Sequence, residues 1–275
     1  DGVDASLAYG SRESWDGAAS VGGKLGAGAW VVDGRYSRGD GFIPIVAGQR
    51  GAVDRAAGYE QGGLGLRLRF DAGANSRIEA SVRWFRDQRD RGVHYTDSQL
   101  DGLDASIRMV SDAPDAAQWT ALAYVQMREM DSGFASVGEG RGTVAPALIQ
   151  NVPATGLGLR TELRPLIGGA HPLRLGADWR RTVGRTKEGY FFNAATPPMA
   201  QRQRVAGGSS DVVGAFAELS GGAQDGLVWT ISGRLDRWWL GTGSRKEDNI
   251  GGTNISDASF AARSGWEGSW RAGLR

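Results

Sequence analysis

Leu64-Gly65-Leu66-Arg67-Leu68-Arg69-Phe70 alternates strictly, with Leu64, Leu66, Leu68 and Phe70 in one row and Arg67 and Arg69 in the other. Successive strand side chains point to opposite faces, so an extended heptapeptide here has one apolar face and one cationic face. The pattern recurs along the chain. Ile78, Ala80, Val82 and Trp84 oppose Arg77, Glu79, Ser81 and Arg83. Leu157, Leu159, Thr161 and Leu163 oppose Arg160, Glu162 and Arg164, and Leu173, Leu175, Ala177 and Trp179 oppose Arg174, Asp178 and Arg180. Leu227–Leu235 and Phe260–Leu274 behave alike, the first against Arg234 and Asp236 and the second against Arg263, Glu267, Arg271 and Arg275. In these six segments the apolar rows hold twenty-nine residues and no charge, while the opposite rows hold seventeen charges.

A soluble sandwich also alternates, but it has no need of rows this clean. A charge facing lipid near the midplane costs about 2–4 kcal/mol. The pattern therefore predicts an all-β protein, an antiparallel transmembrane β-barrel with lipid on the apolar side and a wet lumen on the other. Seventeen charges in a dry core would be prohibitive. Noisier rows at Val3–Tyr9, Gly17–Gly22, Trp30–Tyr36, Leu103–Met109, Trp119–Met127 and Val213–Leu219 bring the expected total to about twelve strands.

Connections alternate short and long. Short ones lie near 23–26, 71–76, 111–117, 165–172 and 220–226, and long ones near 37–58, 86–98, 130–154, 185–209 and 241–257. Outer-membrane barrels have short periplasmic turns and longer extracellular loops. That order places Tyr36, Trp84, Trp179 and Trp239 at the outer ends of strands and Phe70, Trp119 and Trp229 at the inner ends, where aromatic girdles belong. Pairing Phe70 with Ile78 sets Leu64 beside Trp84 and Arg69 beside Glu79. Pairing Leu163 with Leu173 sets Glu162 beside Arg174.

Composition excludes other classes. The 275 residues contain no cysteine, so there is no disulfide framework and no thiolate site. A net charge of +1 argues against a nucleic-acid partner. Glycine numbers 44, more than twice the ordinary usage of about 7%, but lacks a G-X-Y period, and ten tryptophans argue against disorder. The longest apolar run, Ala121–Val125, is far short of the about 20 residues of a membrane helix.

Several stretches taken in order resemble the barrel of TonB-dependent outer-membrane receptors. They are VDASLAYGS (3–11), AGAWVVDGRYSRGDGF (27–42), LRLGADWRRTVGRTKEGYFF (173–192), RVAGGSSDVVGAFAELS (204–220), LVWTISGRLDRWW (227–239) and RSGWEGSWRAGLR (263–275). Trp270 stands where that family commonly has proline. The resemblance covers nearly the whole chain. It implies a barrel of about 22 strands, a plug domain in its lumen and work from the inner-membrane proton gradient, transmitted through TonB to the plug. About twelve strands without a plug then read as 1–275 being one part of such a barrel.

The resemblance further implies a non-enzymatic role: energised uptake of a large scarce nutrient across the outer membrane of a Gram-negative bacterium. A ferric siderophore comes first, with cobalamin, another metal complex or a carbohydrate as alternatives. A passive twelve-stranded channel and a soluble all-β binding domain remain open as other readings. No GxSxG, Walker loop or HExxH occurs, and neither His94 nor His171 sits on an apolar row near a serine, so no catalytic group and no cofactor is expected. Glu247-Asp248-Asn249 offers oxygen ligands for Ca²⁺, but reads more simply as an acidic loop tip. Aromatic and cationic loop residues suit an anionic, aromatic metal complex. The candidates are Tyr190, Phe191, Phe192, Arg202 and Arg204 in one loop, Phe42, Arg50, Arg55 and Tyr59 in another, and His94 and Tyr95 in a third. Arg67, Arg69, Glu79, Arg83, Arg160, Glu162, Arg174, Asp178 and Arg180 are expected to face the plug or lumen water.

Overall fold

The computed structural model describes residues 2–167, 172–192, 198–222 and 226–275; His171 lies outside them. The described residues form one antiparallel sheet. Its strands are β1 (Gly2–Gly10), β2 (Ser14–Leu25), β3 (Gly28–Gly39), β4 (Tyr59–Asp71), β5 (Ser76–Arg89), β6 (Ser98–Ser111), β7 (Gln118–Val137), β8 (Val144–Arg164), β9 (Leu173–Tyr190), β10 (Arg202–Gly222), β11 (Val228–Leu240), β12 (Gly243–Asn249), β13 (Asn254–Phe260) and β14 (Arg263–Leu274). Strands β1 to β11 pair in chain order, and β14 follows β11. Along β10, β11 pairs with residues 210–222 and β12 with 202–207, so β12 prolongs β11. β13 likewise leads into β14. The sheet is thus twelve long strands, as the alternation predicts, with the last hairpin interrupted near Gly241 and Ala261. Strands β1 and β14 are its two edges, each with one neighbour.

Three details differ from the expectations. Segments 130–154, 185–209 and 241–257 are largely strand: β7 and β8 leave only 138–143 between them, and β9 and β10 leave 191–201. Spanning a bilayer takes about 9–11 tilted residues, whereas β8 and β10 have 21 each. Their ends rise past the apolar band, where both faces meet water and the alternation has no cause. The register of β4 and β5 is as expected, Phe70 with Ile78 and Leu64 with Trp84. β8 and β9 are shifted by two, so that Leu163 pairs with Leu175 and Glu162 with Gly176. A two-residue shift leaves every side chain on its face, so the period alone cannot detect it. Finally, the outer row of β11 continues past Leu235 to the charged Arg237.

No described large side chain is fully buried, and Val93 and Val110 are the buried apolar residues. This is one layer without a packed core. Many of its exposed large apolar side chains, from Leu7 and Val32 through Leu66 and Leu159 to Ile231 and Trp270, fall on the predicted apolar rows; others, such as Phe42, Val46 and Leu166, lie in the connections. That face far exceeds the few hundred Å² that soluble monomers leave exposed.

On the opposite face all nine residues predicted to face the lumen are in ion pairs. Arg67 and Arg83 share Asp33 at 3.4 and 3.0 Å, and Arg69 contacts Asp71 at 3.4 Å. Arg69 and Glu79 are opposite in register, but Glu79 is taken by Arg77 and Arg108. Glu162 collects Arg160, Arg164 and Arg174, the last at 2.8 Å despite the shifted register. Asp178 is held by Arg234 at 2.7 Å, with Arg180 at 3.7 Å.

Two of these pairs span an intervening strand, and glycine is the reason they can. Asp33, Gly65 and Arg83 lie in one row across β3, β4 and β5, so the ion pair reaches over about 9.5 Å of backbone. A Cβ on Gly65 would stand 2.8 Å from an Asp33 carboxylate oxygen. Gly214 likewise separates Asp178 from Asp236, and Arg234 bridges both carboxylates across it. A Cβ on Gly214 would overlap that guanidinium. Elsewhere on this face an aromatic ring covers a neighbouring glycine: Phe85 over Gly102, Tyr124 over Gly158, Phe216 over Gly176 and Trp238 over Gly265. Gly214→Val should displace Arg234 and cost about 1.5–3 kcal/mol, the worth of hydrogen bonds to a charged group. Gly233→Val, where a Cβ meets open space on the apolar face, should cost nothing comparable. The temperature at which the fast-migrating folded band disappears on a detergent gel checks both.

Candidate functional site

The loops at the long-connection end are knitted together. In the 40–58 loop, Val53 N–H donates to the Arg141 carbonyl at 3.2 Å and Arg55 N–H to that of Gly92 at 2.9 Å. Asp90 N–H donates to Gly58 and Gly133 N–H to Asp97, each at 2.9 Å. At the centre lies Asp54, its side chain 1% exposed, which accepts Arg141 Nε at 2.8 Å, Arg141 Nη2 at 2.5 Å and Gly51 N–H at 2.8 Å. The Arg141 hydrogen bonds, helped by Gly51 N–H, hold the Asp54 carboxyl below the usual carboxylate range. Gly51 is required there because a Cβ would overlap the Arg141 carbonyl.

Arg55 and His94, separate candidates in the sequence, meet here. The Arg55 guanidinium contacts Asp90 at 2.7 Å, Asp97 at 2.8 Å and His94 Nδ1 at 2.6 Å, so its charge is compensated within the loops. Arg50 donates through Nε to the Ile45 carbonyl at 2.7 Å. Phe42 is exposed beneath the Arg12 guanidinium, 5.7 Å from its ring centroid. Tyr95 adopts φ +66°, a left-handed conformation unusual for a tyrosine, and its carbonyl packs against Gly133.

A second cluster forms where β9, β10 and β12 rise together. Tyr190 and Phe192 stack with centroids 6.1 Å apart and planes 8° from parallel. Arg204 lies 5.1 Å from the Tyr190 centroid and Arg202 4.7 Å from that of Phe192. Glu188 accepts Tyr190 Oη at 2.7 Å and Arg204 Nε at 2.5 Å, while Glu247 accepts Arg202 Nη1 at 3.0 Å. Burial, then Glu188, pushes the Tyr190 phenol up to about 12. Phe191 is tied through its N–H to the Ala147 carbonyl at 3.0 Å. The cluster is neutral, two guanidinium groups against two carboxylates. Glu188 carried no sequence signal of its own, because its partner is sixteen residues away across a hairpin. Glu247 and Asp248, considered above as Ca²⁺ ligands, are occupied by Arg202 and by Lys246 and Asn254.

Between the two clusters opens a basin of 1470 Å³, bordered by the ends of β3 to β10. Of the eleven sequence candidates, Arg55, Tyr59, Tyr95 and Arg204 border it. Its rim mixes cations such as Arg38, Arg89 and Lys187 with anions such as Glu60, Asp131 and Glu188. Phe42 and Tyr59 border a smaller cavity of 470 Å³ beside it. The basin has the volume for a large polar ligand and polar groups of both signs.

No protein-family model matches the sequence, and no curated protein matches it. Solved structures do. The fold is similar to the ferric-catecholate import receptor Fiu from K12 E. coli in its closed form, with TM-score 0.75 and 13% identity over 99% of this chain and 47% of that one. It is similar to the siderophore receptor PiuA from Acinetobacter baumannii, with TM-score 0.71 and 10% identity over 99% and 46%. The copper transporter OprC gives TM-score 0.69 and 17% identity over 98% and 41%. The chain spans less than half the length of each. At these identities the likeness is one of fold, and the fold is that of the barrel wall in these proteins.

A carboxyl whose folded pKa lies below its unfolded value stabilises the fold above the unfolded value, and the contribution is lost as pH falls through the folded one. The three-loop cap should therefore hold through neutral and mildly acid pH and loosen only below the ordinary carboxylate range. Asp54→Asn should expose 40–58 already at neutral pH and abolish the acid step. Amide exchange in 50–57 as a function of pH reads both.

Proposed function

We propose that this chain is part of the barrel wall of a TonB-dependent receptor in the outer membrane of a Gram-negative bacterium, and that the protein takes up a large metal complex, a ferric siderophore in the first instance. The observation that carries the reading is the division of the sheet into two faces. One side is a continuous apolar surface with no core behind it; the other is a lattice of ion pairs. In hydrocarbon only helices and closed barrels satisfy every backbone group. The free edges of β1 and β14 would each cost several kcal/mol per unpaired group there, so further strands are expected to close the barrel. That argues against a passive channel of twelve strands.

The charged face suits a plug packed through polar, wet contacts, which could rearrange when TonB draws on it. The basin would receive the ligand before the plug moves. Support for a metal complex comes from the fold neighbours, whose names include a ferric-catecholate receptor, a siderophore receptor and a copper transporter. The copper transporter keeps a copper complex as a second reading. Balanced charge around the basin favours a large polar ligand bound by shape and hydrogen bonds over a small anion drawn by net charge.

A strain lacking the gene should lose growth on one or more ferric siderophores as sole iron source while growing normally on excess iron salts. The same loss should follow deletion of TonB. Uptake that persists without TonB, or a protein that stays soluble without detergent, would sink the reading. A defect that follows copper complexes alone would favour the second ligand.

A further inference from the structure

The outer row of β11 reads Trp229, Ile231, Gly233, Leu235, Arg237, Trp239. Arg237 is a cation on the face whose middle the sheet keeps free of charge. Its guanidinium lies 5.4 Å from the Trp239 ring centroid and 5.2 Å from that of Trp266, its register partner on β14. Nη2 donates to Ser264 Oγ at 2.8 Å. Two outer-row cations at the same end have carboxylates: Arg86 contacts Asp101 at 2.6 Å and Arg181 contacts Asp211 at 3.3 Å. Among the described residues no carboxylate forms an ion pair with Arg237.

Its height along the strand gives this meaning. Trp229 and Trp239 are ten residues apart, which at about 3.3 Å per residue and about 45° of tilt is roughly 23 Å, close to the about 25 Å apolar band of a barrel. Arg237, two residues below Trp239, sits about 5 Å inside the rim. Ser264 is level with Trp239 in register, so the guanidinium bends towards the rim. The two indole rings hold it by their faces and leave most of its five N–H donors uncommitted. Trp239 and Trp266 both lie on the outer row with Arg237, so the clasp is on the apolar face of the sheet. A cation in this position needs an anion from the surroundings, and at the edge of a lipid leaflet that anion is a headgroup phosphate.

We propose that Arg237, clasped by Trp239 and Trp266 and backed by Ser264, binds the phosphate of a lipid headgroup in the leaflet at the long-loop end. The inference rests on the lipid-facing reading of the apolar rows. The test is native mass spectrometry of the full protein, extracted in mild detergent and titrated with lipid A bearing its phosphates. The wild type should retain one such lipid, and Arg237→Gln should weaken that binding about tenfold, while Arg181→Gln should leave it unchanged. Dephosphorylated lipid A should bind the wild type as weakly as phosphorylated lipid A binds Arg237→Gln, a comparison that needs no variant to fold. Equal retention by Arg237→Gln, equal binding of the dephosphorylated lipid, or equally tight binding of inorganic phosphate alone would overturn the site. Loss of heat-modifiable migration by the wild type would instead overturn the barrel reading, so the two failures are distinct.

Discussion

A single-layer sheet has no second layer to bury its side chains against, and everything else here follows from that constraint. Each face must be compatible with whatever lies beside it, along the full length of every strand. The apolar face meets this by excluding charge from its middle. The other face meets it by pairing nearly every arginine with a carboxylate, and its geometry depends on glycine. Strands are about 4.8 Å apart, so an ion pair between alternate strands has to pass over an intervening residue with little or no side chain, Ser232 in the case of Arg271 and Glu218. Gly65 and Gly214 provide those gaps. The glycine excess that first suggests flexibility is, on this face, a way of letting charged and aromatic side chains lie flat across their neighbours.

The loop end works differently. There the strands outrun the apolar band, and stability comes from specific long-range contacts. Asp54 and Arg141 are 87 residues apart, yet they form the most enclosed ion pair at this end of the sheet. Arg55 ties the same loop to Asp90 and Asp97. The second cluster, built on Tyr190 and Phe192, is joined to the rest mainly through the sheet. The basin lies between two bodies, one knitted from loops and one from extended strands. On the function proposed, that arrangement lets the ligand contact both without either having to unfold.

Arg237 links the two faces of the problem. It breaks the rule of its row at the height where the rule relaxes, since the cost of a lipid-facing cation falls from about 2–4 kcal/mol at the midplane towards about 0–1 near the interface. Reading the β11 row only to Leu235 gives an uncharged face. Reading it to the end of the strand shows where that face meets the rim.

The sequence by itself determined the strand period, the face of each residue within the alternating segments, the order of the twelve long strands and the register of β4 with β5, because a period of two is written into every residue that touches an apolar or a polar surface. Parity grouped the nine charged residues Arg67 to Arg180 on one face of the sheet, the face that carries the ion pairs. Only the tertiary structure decided which charge meets which. It moved β9 by two residues against β8, turned 241–257 into a hairpin, and joined Arg55 to His94, Arg202 to Phe192 and Asp54 to Arg141. The physical reason is that alternation repeats every two residues and is blind to shifts of two. Beyond the apolar band, where both faces meet water, it carries no signal, and contacts between distant loops leave no local pattern.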